Sequence, residues 1–316
     1  MSADVAAVWC FGRIAGTLRP SRHGMTFGTW RLSLAGAQDK LPVVVADDGT
    51  VGLTRGGTPS THILKTPIAR LADTVANEAF CLAFGRQLSD RSRKHGLLTV
   101  SAAPIVVDGR DALLVERYDR ERTGDGVRRL HQEDLCQALG IPTARKYENE
   151  GGPTIEACAT LLRDVGDPRG LLRFVDAIVL SFLVGNHDAH GKNYSLLCST
   201  GTQRARLAPI YDVLSTAAYH GTTNLTRKMA MRIGGEYRPE YVAERHLSRM
   251  AEGTGLNSAT LRKRYRECAE RATVVSDAVA DEFRSNGWWR PIIDDVQAVI
   301  ARRAQVLHAI AAAAEQ

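Results

Sequence analysis

The sequence predicts an α+β protein of two lobes, a small β-rich N-lobe followed by a mostly helical C-lobe. Three observations carry that expectation. The chain has 316 residues, too many for one small domain and suited to two lobes around a shared cleft. Up to about residue 120, short apolar runs alternate with Gly, Asp and Pro, the pattern of strands and turns. From His131 onward the apolar spacing becomes helical.

Composition narrows the class. The chain is 44% hydrophobic and 24% charged, as soluble globular proteins are. Its net charge of +6, from 41 basic and 35 acidic residues, suits an anionic nucleotide or an acidic partner. The basic residues are scattered, so no nucleic-acid groove is read from them. Six cysteines show no C-x-x-C or metal-ligand spacing, and Cys81, Cys136, Cys158 and Cys198 lie among apolar neighbours as small buried hydrophobes would. That suits a reducing cytoplasm. No signal peptide is evident at the N-terminus. The apolar run Leu171 to Val184 is too short to span a bilayer and carries Arg173 and Asp176, so it reads as a core helix.

In chain order, Val5 to Leu18 reads as a short hairpin around Gly12-Arg13, and Pro20 to Gly28 as loop. Ser33-Leu34-Ala35-Gly36-Ala37-Gln38-Asp39-Lys40 leads into the strand Leu41 to Val45; small residues before a strand let backbone N–H groups approach a phosphate, although an ordinary loop would look the same. Asp47-Asp48-Gly49 is a turn, and Thr61-His62-Ile63-Leu64-Lys65 is a strand ending in a lysine. That lysine is either a solvated edge residue or an ATP-binding one. A helix starts at Asp73 or Thr74 and presents Asn77-Glu78 early; Glu78 either pairs with Lys65 or serves as a favourable charge near the helix N-terminus. Pro104 to Val107 and Ala112 to Glu116 flank Asp108-Gly109, a hairpin signal. The polar run from Arg117 to Arg129 then resembles a lobe-joining connector.

The C-lobe pattern follows. Gln132 to Leu139 reads as a helix stopped by Gly140 and Pro142, and Thr154 starts another through Leu162. Asp167-Pro168 caps a helix that is apolar nearly all round, the buried spine of the lobe. Beyond residue 212, helices are expected around Pro239 to Glu252, Ser258 to Arg284 and Ile292 to Ala314, with a corner at Trp288-Trp289-Arg290-Pro291.

Between the spine and the apolar Tyr194-Ser195-Leu196-Leu197 lies Gly185-Asn186-His187-Asp188-Ala189-His190-Gly191-Lys192-Asn193. A second carboxylate, Asp212 of Ile210-Tyr211-Asp212-Val213, comes nineteen residues after Asn193. A loop anchored at both ends by core segments holds reacting groups rigidly. The chemistry that uses this set is phosphoryl transfer, in which one Asp takes or orients the acceptor proton while an Asn and a second Asp hold Mg²⁺. The plain alternative is that all three are turn and capping residues. The spacing of Asp188, Asn193 and Tyr211-Asp212 together favours the first.

The ordered blocks Ser33 to Lys40, Thr61 to Lys65, Asn77-Glu78, Val115-Glu116-Arg117-Tyr118-Asp119-Arg120, His131-Gln132-Glu133-Asp134, Lys146-Tyr147-Glu148, Asp188 to Asn193 and Tyr211-Asp212 resemble the HipA serine/threonine kinase toxins, from about Thr29 to the last helices. The resemblance implies a two-lobed protein-kinase-like fold related to the phosphatidylinositol kinases. It also implies ATP and Mg²⁺ as cofactors, a helix-turn-helix, HipB-like antitoxin that alone would bring DNA contact, and an aminoacyl-tRNA synthetase type of protein substrate. By it, Asp188 is the catalytic base, Asn193 and Asp212 hold Mg²⁺, and Lys65 contacts the ATP phosphates. His190 and Lys192 belong to the same ATP site. Glu116 and Tyr118 frame the adenine, and the loop of Ser33, Ala35, Gly36 and Ala37 covers the phosphates, with Ser33 autophosphorylated.

The family usually carries a further N-terminal subdomain of about a hundred residues, whereas 32 residues precede Ser33 here. Residues 1–30 are therefore expected to be a remnant of it, 31–120 the N-lobe with phosphate loop and hinge, and 121–316 the helical C-lobe. A separate small protein would then supply the missing part. A catalytically silent module that binds an antitoxin is the alternative reading, and a lipid kinase a third.

Overall fold

The computed structural model describes residues 6–10, 13–21, 24–28, 38–54, 58–89, 98–124, 126–198 and 204–313. Ser33, Ala35, Gly36 and Ala37 lie outside them. The chain divides into two compact units, residues 1–75 with 101–129 and residues 76–100 with 130–316.

The first unit is built of antiparallel sheets. Strands β1 (Ala6–Cys10), β2 (Arg13–Ser21) and β3 (Gly24–Gly28) form a three-stranded sheet in that order. The expected hairpin is present, but the stretch from Pro20 to Gly28, expected as loop, is mostly strand, with Pro20 paired to Met25 and Leu18 to Phe27. Met25-Thr26-Phe27 favours extended backbone once β2 offers an edge to pair with, and a proline near a strand end does not prevent it.

A second sheet contains β4 (Lys40–Val45), β5 (Val51–Leu53) and β6 (His62–Lys65). After helix α1 (Thr74–Leu88) the chain returns to it as β7 (Ala102–Val107) and β8 (Arg110–Glu116), giving the order β5-β4-β6-β8-β7. Asp108 and Gly109 both have positive φ, 48° and 73°, which is the two-residue turn their sequence signals. Val43, Leu64 and Ala112 form the centre of the sheet's apolar cluster. Strand β6 lies in the middle of the sheet, so Lys65 is buried at 4% exposure and is not a solvated edge lysine. The polar run expected as a connector forms a separate hairpin, β9 (Arg120–Thr123) with β10 (Gly126–Arg129). Strands this short and charged show no apolar period to read.

The second unit is mainly helical. Strand β11 (Gln132–Asp134) precedes the one-turn helix α2 (Leu135–Ala138). A longer helix from Gln132 was expected. Asp134 sets the start instead, because its side chain accepts from Gln137 N while the Gln137 side chain accepts from Asp134 N, each at 2.9 Å, a reciprocal cap. Residues Gln132 to Asp134 pair with the later strand β12 (Ser195–Cys198), which also pairs with β13 (Ala205–Leu207).

Helix α3 (Ile155–Asp164) is capped by Thr154, and α4 (Pro168–Val184) by Asp167 with Pro168 in its first turn, as the sequence indicates. Asp167 does double duty: one oxygen caps α4 through Gly170 N and the other takes Leu207 N at 2.8 Å, fastening β13. Helix α4 is buried along almost its whole length and forms the spine.

Of the helix expected from Pro239, the structure makes a 3-10 turn, Pro239–Tyr241, and then α5 (Glu244–Thr254), because Val242 between them is extended at ψ 127°. Helices α6 (Ser258–Ser285) and α7 (Ile292–Ala313) follow. Phe80 of α1 meets Phe283 of α6 edge to face at 5.7 Å. Cys81, Cys136 and Cys158 are buried, while Cys198 is only partly so. Among the described residues no helix is long and apolar enough to cross a membrane.

Candidate active site

Helix α4 ends at Gly185, whose left-handed φ of 69° turns the chain out of the spine. The Gly185 carbonyl takes Thr216 N at 3.1 Å, Ala217 N at 3.0 Å and Thr216 Oγ1 at 3.1 Å. A Cβ at Gly185 would lie 2.5 Å from the Ala217 methyl and 2.9 Å from Val299 Cγ1. Only glycine permits this approach.

The loop that follows is fixed from within. Asn186 Oδ1 accepts from Asp188 N at 3.1 Å, an Asx turn that aims the chain at Asp188. The same buried side chain donates through Nδ2 to the backbone carbonyl of Asp212 at 3.3 Å. One amide therefore joins the two segments that carry the candidate carboxylates. His190 N returns to the Asp188 carbonyl and Asn193 N to the His190 carbonyl, both at 2.9 Å. Asp188 itself is exposed, and its Oδ1 receives the Tyr147 hydroxyl at 2.6 Å. Asp212 sits at φ 54°, a left-handed conformation uncommon for a residue with a side chain and often found at functional sites.

Asn193 is buried at 7% exposure, and its side-chain oxygen finds no hydrogen-bond partner among the described residues. A buried amide oxygen facing no donor is unusual and fits a cation ligand, above all a hard one. Among the described residues no cluster of three or more His, Cys, Asp or Glu could hold a metal. An Asn–Asp pair completed by phosphate and water is a different kind of site and suits magnesium.

The two loop histidines are neutral. Burial is the main cause for each and pushes both down to about 4; for His190 the nearby Asp188 opposes the shift, and for His187 the Thr226 carbonyl does. His190 stands edge-on to the Tyr147 ring at 5.2 Å. Lys192, expected at the nucleotide, is engaged with Asp134 Oδ2 at 3.1 Å and so ties the loop to the cap of α2. Tyr211 donates to the Lys192 carbonyl at 2.8 Å.

The remaining candidates are distributed over both units. Lys65 is in the first unit and Glu78 in the second, buried at 4% and 3%. Glu78 lies beyond the first turn of α1 and is not a helix-terminus charge. Glu116 is the exposed last residue of β8, and Tyr118 is half-buried. The strip around them is tied by ion pairs. Asp119 is buried, which opposes its charge, yet Arg117 at 2.7 Å and Arg120 at 2.6 Å hold its carboxyl below the usual range. Arg120 Nε also donates to the Ser60 carbonyl at 2.6 Å.

Two residues in this arrangement received no role from the sequence, Asn186 and Tyr147. The Asx turn of Asn186 had a local signal, an Asn two residues before Asp188; the partner of Tyr147 lies 41 residues away and had none.

Comparison with known proteins bears on the family and the fold. A model of the HipA-like C-terminal domain matches residues 32–276. The protein Y4mE of Sinorhizobium fredii is 48% identical over 207 residues, 65% of this chain and 46% of that protein. The serine/threonine-protein kinase toxin HipA of Shewanella oneidensis is 28% identical over 272 residues, 80% of this chain and 58% of that one. The chain thus spans about half the length of these relatives. A solved Shewanella oneidensis complex of HipA, HipB and operator DNA is similar over 90% of this chain and 65% of the matched chain, with TM-score 0.71 and 25% identity. The Helicobacter pylori proinflammatory kinase CtkA, 11% identical, covers 87% of this chain and 98% of its own with TM-score 0.51, a likeness of fold alone. The fold is a mixed α+β, kinase-like one.

Proposed function

The chain belongs to the family of HipA-like C-terminal domains, and from that premise we propose that it is an ATP- and Mg²⁺-dependent serine/threonine protein kinase. The observation that carries this reading is the loop after α4, where an exposed Asp188 is fastened through Asn186 to the backbone of Asp212 and the buried Asn193 oxygen has no donor among the described residues. In it, Asp188 accepts the proton of the acceptor hydroxyl, and Asn193 and Asp212 are the oxygen donors for Mg²⁺. Bound together, Mg²⁺ and ATP would supply the transferable phosphoryl group and neutralise part of its charge. The buried ammonium of Lys65 is the candidate phosphate contact, and Glu116 with Tyr118 the adenine edge. His190, neutral and buried, shapes the wall beside Asp188 without adding charge.

The likeness to a HipA toxin and to a HipA–HipB–DNA complex supports two finer parts of the proposal. The chain acts as the toxin of a toxin–antitoxin pair, with a HipB-like antitoxin as partner, and DNA is reached only through that antitoxin. From the resemblance of the sequence blocks alone we further propose a translation-machinery protein such as an aminoacyl-tRNA synthetase as the substrate class and Ser33 as the autophosphorylation site.

The test is transfer from γ-labelled ATP with Mg²⁺, comparing the natural protein with Asp188→Asn. Loss of a positioned general base is expected to lower the rate about 10²–10⁴-fold while ATP still binds. If the natural protein labels neither itself nor any lysate protein, the kinase reading fails and a silent antitoxin-binding module takes its place.

A further inference from the structure

Tyr147 is held at its backbone, its neighbour and its ring. Its carbonyl takes Glu150 N at 3.0 Å and Gly152 N at 2.8 Å. Gly152 allows that closeness, since a Cβ there would lie 2.6 Å from the Tyr147 carbonyl oxygen. The next residue, Glu148, is buried and receives both the backbone N and Nε of Arg232 at 2.6 Å. The Tyr147 ring meets His190 edge-on, and the Lys146 ammonium sits 4.9 Å from its centroid. A side chain anchored this firmly presents its hydroxyl at one place, and that place is Asp188 Oδ1.

The hydroxyl is a donor and stays one. Burial raises its pKa above the usual phenol value, and the hydrogen bond to the Asp188 carboxylate raises it further. A carboxylate has two oxygens and a soft, roughly two-fold terminal torsion. A hydrogen bond of 2.6 Å to one oxygen, in the range of charge-assisted bonds, fixes that torsion and leaves the other oxygen available.

We infer that Tyr147 is a positioning residue for phosphoryl transfer, occupying Asp188 Oδ1 so that Oδ2 is the oxygen offered to the acceptor hydroxyl. The inference rests on the kinase reading of Asp188. It accounts for the Lys146-Tyr147-Glu148 block: Glu148 anchors the turn and Tyr147 reaches the base.

Tyr147→Phe keeps the ring against His190 and removes only the hydroxyl. In labelled-ATP assays kcat should fall roughly ten- to a hundredfold, as for a misplaced reacting group, with KM for ATP unchanged. A second readout needs no nucleotide. The Raman difference between natural protein and Tyr147→Phe should show a strongly donating phenol, and Asp188→Ala should abolish that signature. If the natural protein transfers phosphate and Tyr147→Phe matches or exceeds its kcat, the positioning role is wrong, because the hydroxyl is then a bystander or an obstacle to the acceptor. A phenol that is no donor, or is unaffected by Asp188→Ala, overturns it as well. If the natural protein transfers no phosphate, the kinase reading itself falls and the positioning role falls with it.

Discussion

Asn186 and Gly185 show how much of the site depends on single residues. Gly185→Ala would place a methyl 2.5 Å from that of Ala217 while keeping a left-handed φ. The left-handed conformation alone costs about 1–2 kcal/mol for a residue with a Cβ, and the overlap adds to it. Thermal or urea unfolding should show the loss, and a variant as stable as the parent would mean that the contact relaxes freely. Asn193→Ala should act differently. It removes an oxygen with no protein donor among the described residues, so the apo protein should keep its stability while the Mg²⁺-dependent part of ATP binding weakens. Calorimetry with ATP, with and without Mg²⁺, separates the two effects; equal ATP affinity of both proteins in Mg²⁺ would remove Asn193 from the metal site. At this scale the sequence was informative wherever spacing is short. Asp188, Asn193 and the turn at Asp108-Gly109 are local patterns. The hydrogen bonds of Asn186 to Asp212 and of Tyr147 to Asp188 are meetings of distant segments.

Elements tell the same story through their ends. The caps at Thr154 and Asp167 and the turn at Asp108-Gly109 were legible because capping and turn chemistry are written within four residues. Strands β3, β9, β10 and β11 were not, because each is short and depends on a partner strand for its pairing. Helix α1 carries a polar residue whose purpose only the fold explains. Asn77 is fully buried, donates to the Ser215 carbonyl at 3.0 Å and accepts Ser215 N at 2.8 Å, pinning the segment just after Asp212. Asn77→Leu would strand both Ser215 groups, at about 1–3 kcal/mol for each left unsatisfied. The unfolding free energy should drop by that order, and a neutral result would mean that water or a shifted chain replaces the amide.

At the scale of the whole molecule, buried neutral histidines make stability depend on acidity. His187 is 2% exposed, and burial, the largest cause, lowers its pKa from 6.5 to about 4. The unfolded chain therefore binds more protons between those values. The stabilisation is fully present above pH 6.5 and is lost as pH falls toward 4, on the order of 3 kcal/mol from this residue. His220, whose ring centroid lies 5.1 Å away, shifts downward for the same reason, burial. The unfolding midpoint should decline through this window, and less steeply in His187→Gln; an unchanged slope would assign the pH response to other groups. The division into a sheet-rich part and a helical part was visible in the change of period near His131. That α1 goes with the later part, from Ala76 on, was not visible, since its partners come far later in the chain.

Those partners have a consequence for synthesis. The C-terminal carbonyl of α1, on Leu88, is taken by Arg271 of α6 at 2.8 Å across 183 residues, and Phe80 waits for Phe283. At roughly 5–20 residues per second, a ribosome takes about 10–40 s to deliver that cover. For that interval the nascent chain carries an apolar helix without its lid, a natural client for a holdase chaperone. Arrested chains lacking α6 should be cut by protease within α1, and chains that include it should resist; equal protection in both would show that α1 finds shelter earlier.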